Sequence, residues 1–266
     1  MTDLENVNNN LDGNYYLTND IDASATAVDG YQNYYEKKYG WWLDKNVGWG
    51  PIGLPFGAPA YIGGFTGTFD GCGYSITGLT IDGWNSVHEI GLFGDIEGDA
   101  KVANLTVEIT FTAVNGGAGG LAGRADDPTA NILIQNCHVS GTVNLRGSIS
   151  EIGGLIGNSA GDASYDVQIY DCSTDMAITQ TLAGAMRYVG GLTGRSSYSL
   201  IYNCFATGDI NGAGHSNTEY IGGLCGRFGS SATMEYCYST GDVEGAYFVG
   251  GLVGQYYGSG GYIRKC

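Results

Sequence analysis

The chain has 266 residues, of which 47 are glycine and only 4 proline, and it sets 11 lysines and arginines against 27 aspartates and glutamates for a formal charge of −16. Glycine costs a helix about 0.5–1 kcal/mol at each interior position, so glycine spread along the whole chain argues against a largely helical protein, and the lack of a three-residue period argues against collagen. With 43% hydrophobic residues and 20 tyrosines the chain is too apolar for disorder, and its sparse cations speak against nucleic acid or an anionic membrane as partner.

The opening stretch MTDLENVNNN has neither the basic nor the apolar region of a signal peptide, which leaves room for a leader already removed. No apolar run in the sequence approaches the ~20 residues that span a bilayer. Thr2 and Glu5 make a capping-box pattern for a short helix that would set Leu4, Val7 and Leu11 over whatever follows. An aromatic segment then brings Tyr31, Tyr34, Tyr35, Tyr39, Trp41 and Trp42 within twelve residues. Aromatic rings supply large, rigid contact area, so these six are the candidate binding residues for a glycan or protein partner; the competing expectation is that they fold back as a cap. Trp49, in WGPIG, is assigned to the core. Residues 1–60 are read as an N-terminal cap with an aromatic insertion, and residues 61–266 as a repeat domain.

That domain is organised by the unit G-G-L-x-G, found at 119–123, 153–157, 190–194, 222–226 and 250–254, with looser copies GGFTG at 63–67 and IGLFG at 90–94. The centres are Phe65, Leu92, Leu121, Leu155, Leu192, Leu224 and Leu252, spaced by 27 to 37 residues. A second marker follows each centre at 12 to 17 residues: Leu79, Leu105, Cys137, Cys172, Cys204, Cys237 and Cys266. Around it the chain alternates apolar and polar residues, as in IQNCHV and IYNCFA, which predicts strands with one buried face. In HVSGTV, FATGDI and YSTGDV a glycine turn is expected before a further strand.

One such unit cannot bury its apolar face alone, so the copies must stack, and for strand-only units of this period the expected stack is all-β: a parallel β-helix, or β-solenoid, of about seven coils rising ~4.8 Å each. The leucines of GGLxG should form an inward column, and their glycines should turn corners at positive φ while letting adjacent coils approach. Cysteine at one coil position suggests a second inward column of thiols. Disulfides remain the alternative, although side chains stacked in a parallel ladder point the same way rather than toward each other. Arg124, Arg195 and Arg227 share the position just after GGLxG, either neutralising nearby acids or marking a ligand site.

These repeats resemble the GLUG-repeat family of bacterial cell-surface proteins, found in adhesins and beside immunoglobulin A protease domains. The resemblance extends to LENVNNNLDGNYYLTNDIDAS, WGPIG and FTGTFDGCGYSITGLTI, and departs from the family in the aromatic insertion. It implies a right-handed β-helix on an exported protein, a role in attachment, and no agreed catalytic residues.

Accidental motifs are expected in so glycine-rich a chain. Gly157–Gly161 fits the nucleophile elbow G-x-S-x-G and Gly117–Ala122 fits G-x-G-x-x-A, but neither has the strand-to-helix context that its chemistry needs. His88, His138 and His215 occupy unrelated repeat positions, so no metal site and no cofactor is expected. The enzyme alternative, a polysaccharide-degrading β-helix, would rest on Asp126 and Asp127 or on Asp162 and Asp166, which are read as solvated loop acids. The expectation is a non-enzymatic, extracellular or cell-surface repeat module acting in adhesion or as a stalk, with a surface glycan or protein as partner. The alternative is a filament subunit. The last coil stops at Cys266, so the chain is expected to be a piece of a longer protein, or else to cover that edge by self-association.

Overall fold

A computed structural model of the chain describes residues 2–28, 31–39, 48–54, 62–82, 89–113, 116–163, 166–181, 184–212 and 218–266. Three parallel sheets run side by side along one axis. A long 15-stranded sheet begins with Asn14–Tyr16, continues through Thr68–Asp70, Lys101–Ala113 and Ile132–Leu145, and ends at Tyr262–Arg264. A second sheet stacks Glu89–Ile90, Gly117–Gly119, Ile149–Gly153, Met186–Gly190, Thr218–Gly222 and Tyr247–Gly250. The third stacks Phe93–Ile96, Ala122–Asp126, Ile156–Ala160, Thr193–Ser197, Cys225–Gly229 and Val253–Tyr257. Every strand pair in them is parallel. This is the β-solenoid expected from the repeats, with about six turns rather than seven, which rise roughly 29 Å from Thr68–Asp70 to Tyr262–Arg264.

The GGLxG signature is the corner between the second sheet and the third. Gly153 ends one strand and Ile156 starts the next, with Leu155 turned inward between them. Leu92, Leu121, Leu155, Leu192 and Leu224 are fully buried and belong to a single core, whereas Leu252, in the last turn, is only partly buried against it. Cys137, Cys172, Cys204 and Cys237 form a second buried column, while Cys266 is exposed. These cysteines are free thiols, stacked so that the backbone N–H of Cys172 donates to Cys204 Sγ, that of Cys204 to Cys237 Sγ and that of Cys237 to Cys266 Sγ, each at 3.4 Å.

The corners differ from expectation in their conformation. None of the glycines in the five strict GGLxG copies has positive φ, although Gly63 of the looser GGFTG does, at +90°. The left-handed positions that recur from turn to turn are instead Asn104, Asn136, Asp171, Asn203, Tyr236 and Lys265, each just before the second marker, and Glu151, Tyr188, Tyr220 and Phe248, each before a GG pair. Asn and Asp tolerate this region because their short side chains bond locally, and here they bond up and down the stack: Asn136 Nδ2 donates to Asn104 Oδ1 at 2.9 Å and Asn203 Nδ2 to Asp171 Oδ1 at 2.7 Å. What the signature glycines supply is clearance. A Cβ on Gly154 would lie 2.0 Å from the carbonyl oxygen of Gly191 in the next turn.

Two markers, Phe65 and Leu79, fall elsewhere than the sequence suggested. Ile52 bridges Phe93 in parallel, and its N–H donates to Leu92 O as the Ile156 N–H does to Leu192 O, so WGPIG is the first-turn copy of the corner. Phe65 pairs with Ile96, three residues further along the third face, and GGFTG is therefore out of phase. Leu79 pairs with Ile109 rather than Leu105, because Ser75 already faces Thr106 and Leu79 therefore lies past the marker position; an irregularity between Ile76 and Leu79, around Gly78 at φ +70°, adds one residue to that strand. The glycine turn expected in HVSGTV is absorbed into the continuous strand Ile132–Leu145 through Gly141 at φ +130°; FATGDI and YSTGDV do break into two short strands each. Asn14–Tyr16 and Ile21–Asp22, expected in the cap, pair with Thr68–Asp70 and Ser75–Ile81, so a boundary at residue 60 cuts through the first turn.

Candidate functional site

The cap is built on the short helix Thr2–Asn6, which buries Leu4, with Val7 of the following turn also buried. Glu5 is buried too, and its carboxylate accepts from Lys37 Nζ at 2.8 Å and from the Tyr31 hydroxyl at 2.6 Å rather than folding back on its own helix. Burial, together with the bond to Glu5, pushes the Tyr31 phenol well above its ordinary range. Asn33 receives the backbone N–H groups of Tyr35 and Glu36 and so starts the helix Tyr34–Tyr39. That helix turns its first tyrosines inward. The Tyr34 hydroxyl donates to Asn9 Oδ1 at 3.0 Å, and Tyr35, 0% exposed, donates to the Pro51 carbonyl at 2.7 Å.

Of the six candidate binding aromatics, then, Tyr34 and Tyr35 are buried and Tyr31 is half-buried, all in contacts that hold the cap. Tyr39 closes the helix, and Trp41 and Trp42 lie outside the described residues. Trp49 is fully buried, its indole N–H donating to the Leu92 carbonyl. Tyr35→Ala should remove a filled core volume and strand the Pro51 carbonyl, lowering stability by about 3–5 kcal/mol, and Tyr35→Phe by about 1–3 kcal/mol. Chemical denaturation would measure both, and a Tyr35→Ala protein as stable as the parent would remove Tyr35 from the cap.

The outward face of the third sheet carries a charged column. Strand register places Asp95, Arg124, Asn158, Arg195, Arg227 and Gln255 one above another, so the three arginines do share one position, with Asn158 interrupting them. Arg124 sits 3.3 Å from Asp126 and 3.8 Å from Asp95, and Arg195 sits 3.3 Å from Glu151. Asp95 is wholly buried, with neither carboxylate oxygen hydrogen-bonded. Burial pushes its pKa up to about 9, with Arg124 opposing and Glu97 adding to the rise; burial likewise raises Glu89 to about 7.

The folded chain holds a proton on Asp95 that an unfolded aspartate, with pKa about 3.9, releases, so folding stability is greatest below about pH 4 for this group and falls as pH rises toward 9. Asp95→Asn should flatten that decline and raise the melting temperature at pH 8. Parallel melting-temperature profiles for parent and variant between pH 5 and 9 would contradict the assignment.

Two acids of the enzyme alternative, Asp126 and Asp127, have structural partners for their carboxylates. Asp126 pairs with Arg124, and Asp127 accepts from the Gly98 and Thr129 backbone N–H groups at 2.8 and 2.6 Å. At Asp166 it is the backbone N–H that bonds, donating to Asn131 Oδ1, while burial raises the pKa of its carboxyl group. Ser159, the serine of the elbow-like motif, lies in the strand Ile156–Ala160 rather than in a loop, buried and bonded to Ser199 Oγ at 2.8 Å. His138 Nδ1 is 2.8 Å from Ser173 Oγ; His88 and His215 lie outside the described residues. Among the described residues no group of three or more His, Cys, Asp or Glu side chains is placed to hold a metal, and no helix is long and apolar enough to cross a membrane.

A family model described as the GLUG motif matches residues 187–211, from the second-sheet strand through the Leu192 corner to the long sheet. The chain is also similar to Halomucin of Haloquadratum walsbyi, 33% identical over 166 residues. That alignment covers 61% of this chain and 2% of the relative, so the chain spans a small fraction of that protein's length. The relative is archaeal, and the resemblance is thus wider than bacterial proteins.

Proposed function

The chain is a GLUG-repeat β-solenoid, and from that premise we propose that it serves as a non-enzymatic repeat module of an extracellular or cell-surface protein, acting as a stalk or in adhesion. The observation that carries this reading is the rod itself. Six turns share one side-chain-filled core, and hydrogen bonds between turns run along the axis, so the described residues supply length and outward surface. Load or contact applied at one end is transmitted through neighbouring turns, as in other solenoids. The similarity to a much larger relative supports a module within a long protein.

Antibody raised against the purified chain should label intact, unpermeabilised source cells, and brief protease treatment of those cells should remove the label. Labelling only after permeabilisation would overturn the surface reading. Fab fragments that block attachment assign adhesion; surface labelling without such blocking assigns the stalk. Turnover of a polysaccharide or peptide by the purified chain, lost in Asp126→Asn with Asp127→Asn or in Asp162→Asn with Asp166→Asn, would overturn the non-enzymatic part.

A further inference from the structure

Arg195 and Arg227 are direct partners in adjacent turns of the third sheet. Like charges placed opposite each other across strands destabilise a sheet, and this chain has 27 acids with which either position could have been balanced. Arg195 has Glu151 at 3.3 Å. Arg227 has no carboxylate partner among the described residues: its Nη1 donates to the Tyr188 hydroxyl at 3.3 Å, and its guanidinium lies 5.0 Å from the Tyr188 ring centre and 4.1 Å from that of Tyr257. The two arginines open onto a pocket of about 110 Å³ whose walls include Tyr198, Tyr257, Ser197 and Ser230.

We propose that this pocket binds the acidic group of an anionic sugar, a hexuronate carboxylate or a sugar sulfate. A guanidinium presents paired N–H donors in a planar fork that matches either oxyanion, and an anion between the two arginines would relieve their mutual repulsion. Tyrosine rings beside a charge-bearing pocket offer the flat apolar surface against which a sugar ring rests, and serine hydroxyls at the rim suit its hydroxyls. The volume suits one acidic group with part of its ring. The remaining acids of the chain repel a polyanion at long range, but at about 0.15 M salt charges beyond about 8 Å are screened while the pocket pair is not. The inference names a ligand class for the surface reading and rests on it for its biological setting; the test uses purified chain, so its failure leaves the stalk standing.

Calorimetric titration of the whole chain at that salt should show binding of oligogalacturonate or of sulfated dextran fragments, the two arms distinguishing carboxylate from sulfate, and none of neutral dextran. Arg227→Gln should weaken binding at least tenfold and Arg227→Lys less, because the charge stays while the fork is lost. Arg264→Gln, on an arginine paired with Glu235 in the long sheet, should bind as the parent does. Should Arg227→Gln fail to fold, Tyr257→Ala, at an exposed ring, should show the same loss. Absence of binding to both acidic saccharides, equal binding of neutral dextran, binding of poly-glutamate as tight as that of the saccharides, or affinity unchanged in Arg227→Gln would each overturn the proposal.

Discussion

Alanine at Gly154 should cost the solenoid several kilocalories per mole, while alanine at Gly251, the same position of the same motif, should cost almost nothing. At Gly154 the added methyl carbon would sit 2.0 Å from the Gly191 carbonyl oxygen; at Gly251 no atom lies within 4 Å. Overpacking against side chains costs about 1–3 kcal/mol because rotamers give way. The Gly191 carbonyl is backbone, accepts the Thr174 hydroxyl at 2.7 Å and has no rotamer to change, so the Gly154 cost should reach the ~4–5 kcal/mol that marks exceptional substitutions. Gly251→Ala should stay within about 0.5 kcal/mol of the parent. Denaturant midpoints of the two variants would check both, and equal midpoints would mean that the glycines are kept for flexibility rather than clearance.

The second large effect concerns the leucine column. Leu192 is fully buried between Leu155 and Leu224, and truncation to alanine in such a site costs about 2–5 kcal/mol. Leu192→Asn should exceed it, since it adds an amide with no partner in an apolar column, a further ~1–3 kcal/mol. Because each turn contacts mainly its neighbours, the damage should spread unevenly. Amide exchange should quicken first around Thr193–Ser197 and its flanking turns and later in Lys101–Ala113. Leu252→Ala, at a half-buried position, should cost about 1 kcal/mol. A Leu192→Asn protein with parental stability would place the leucines outside the core.

The repeating part of this fold was legible because every turn makes the same demands of its sequence. An inward side chain needs Leu at one corner and a small apolar group at another, and the clearance above each corner needs glycine, so Leu121, Leu155, Leu192 and Leu224 recur in phase with Cys137, Cys172, Cys204 and Cys237. The first turn was harder to phase. There Pro51 and Ile52 replace the usual corner, and Ser75 already faces Thr106, so Leu79 lies past the marker column. The left-handed corners went unread although a signal was present: Asn or Asp stands before the marker at Asn104, Asn136, Asp171 and Asn203. For the candidate site, a count of aromatic residues along the chain carried no information about which way the rings face, and Tyr35 turns toward Asn8 and Pro51. The arginine column was visible as a recurrence, but that Arg227 lacks the acid which Arg195 and Arg124 possess depends on Glu151, Asp95 and Asp126, brought close only by stacking.

The parallel, in-register stack is tested most directly by distances between spin labels along one column of the long sheet. Thr68, Lys101, Leu133, Gln168, Leu200, Thr233 and Tyr262 follow one another in register. With the exposed Cys72 and Cys266 replaced by serine, labels at Lys101→Cys and Tyr262→Cys are five turns apart and should give a narrow distribution near ~24 Å, and labels at Thr68→Cys and Tyr262→Cys one near ~29 Å. An increment of one strand spacing between the two pairs is the predicted result. Broad distributions, or two distances that do not differ by about 4.8 Å, would contradict the solenoid.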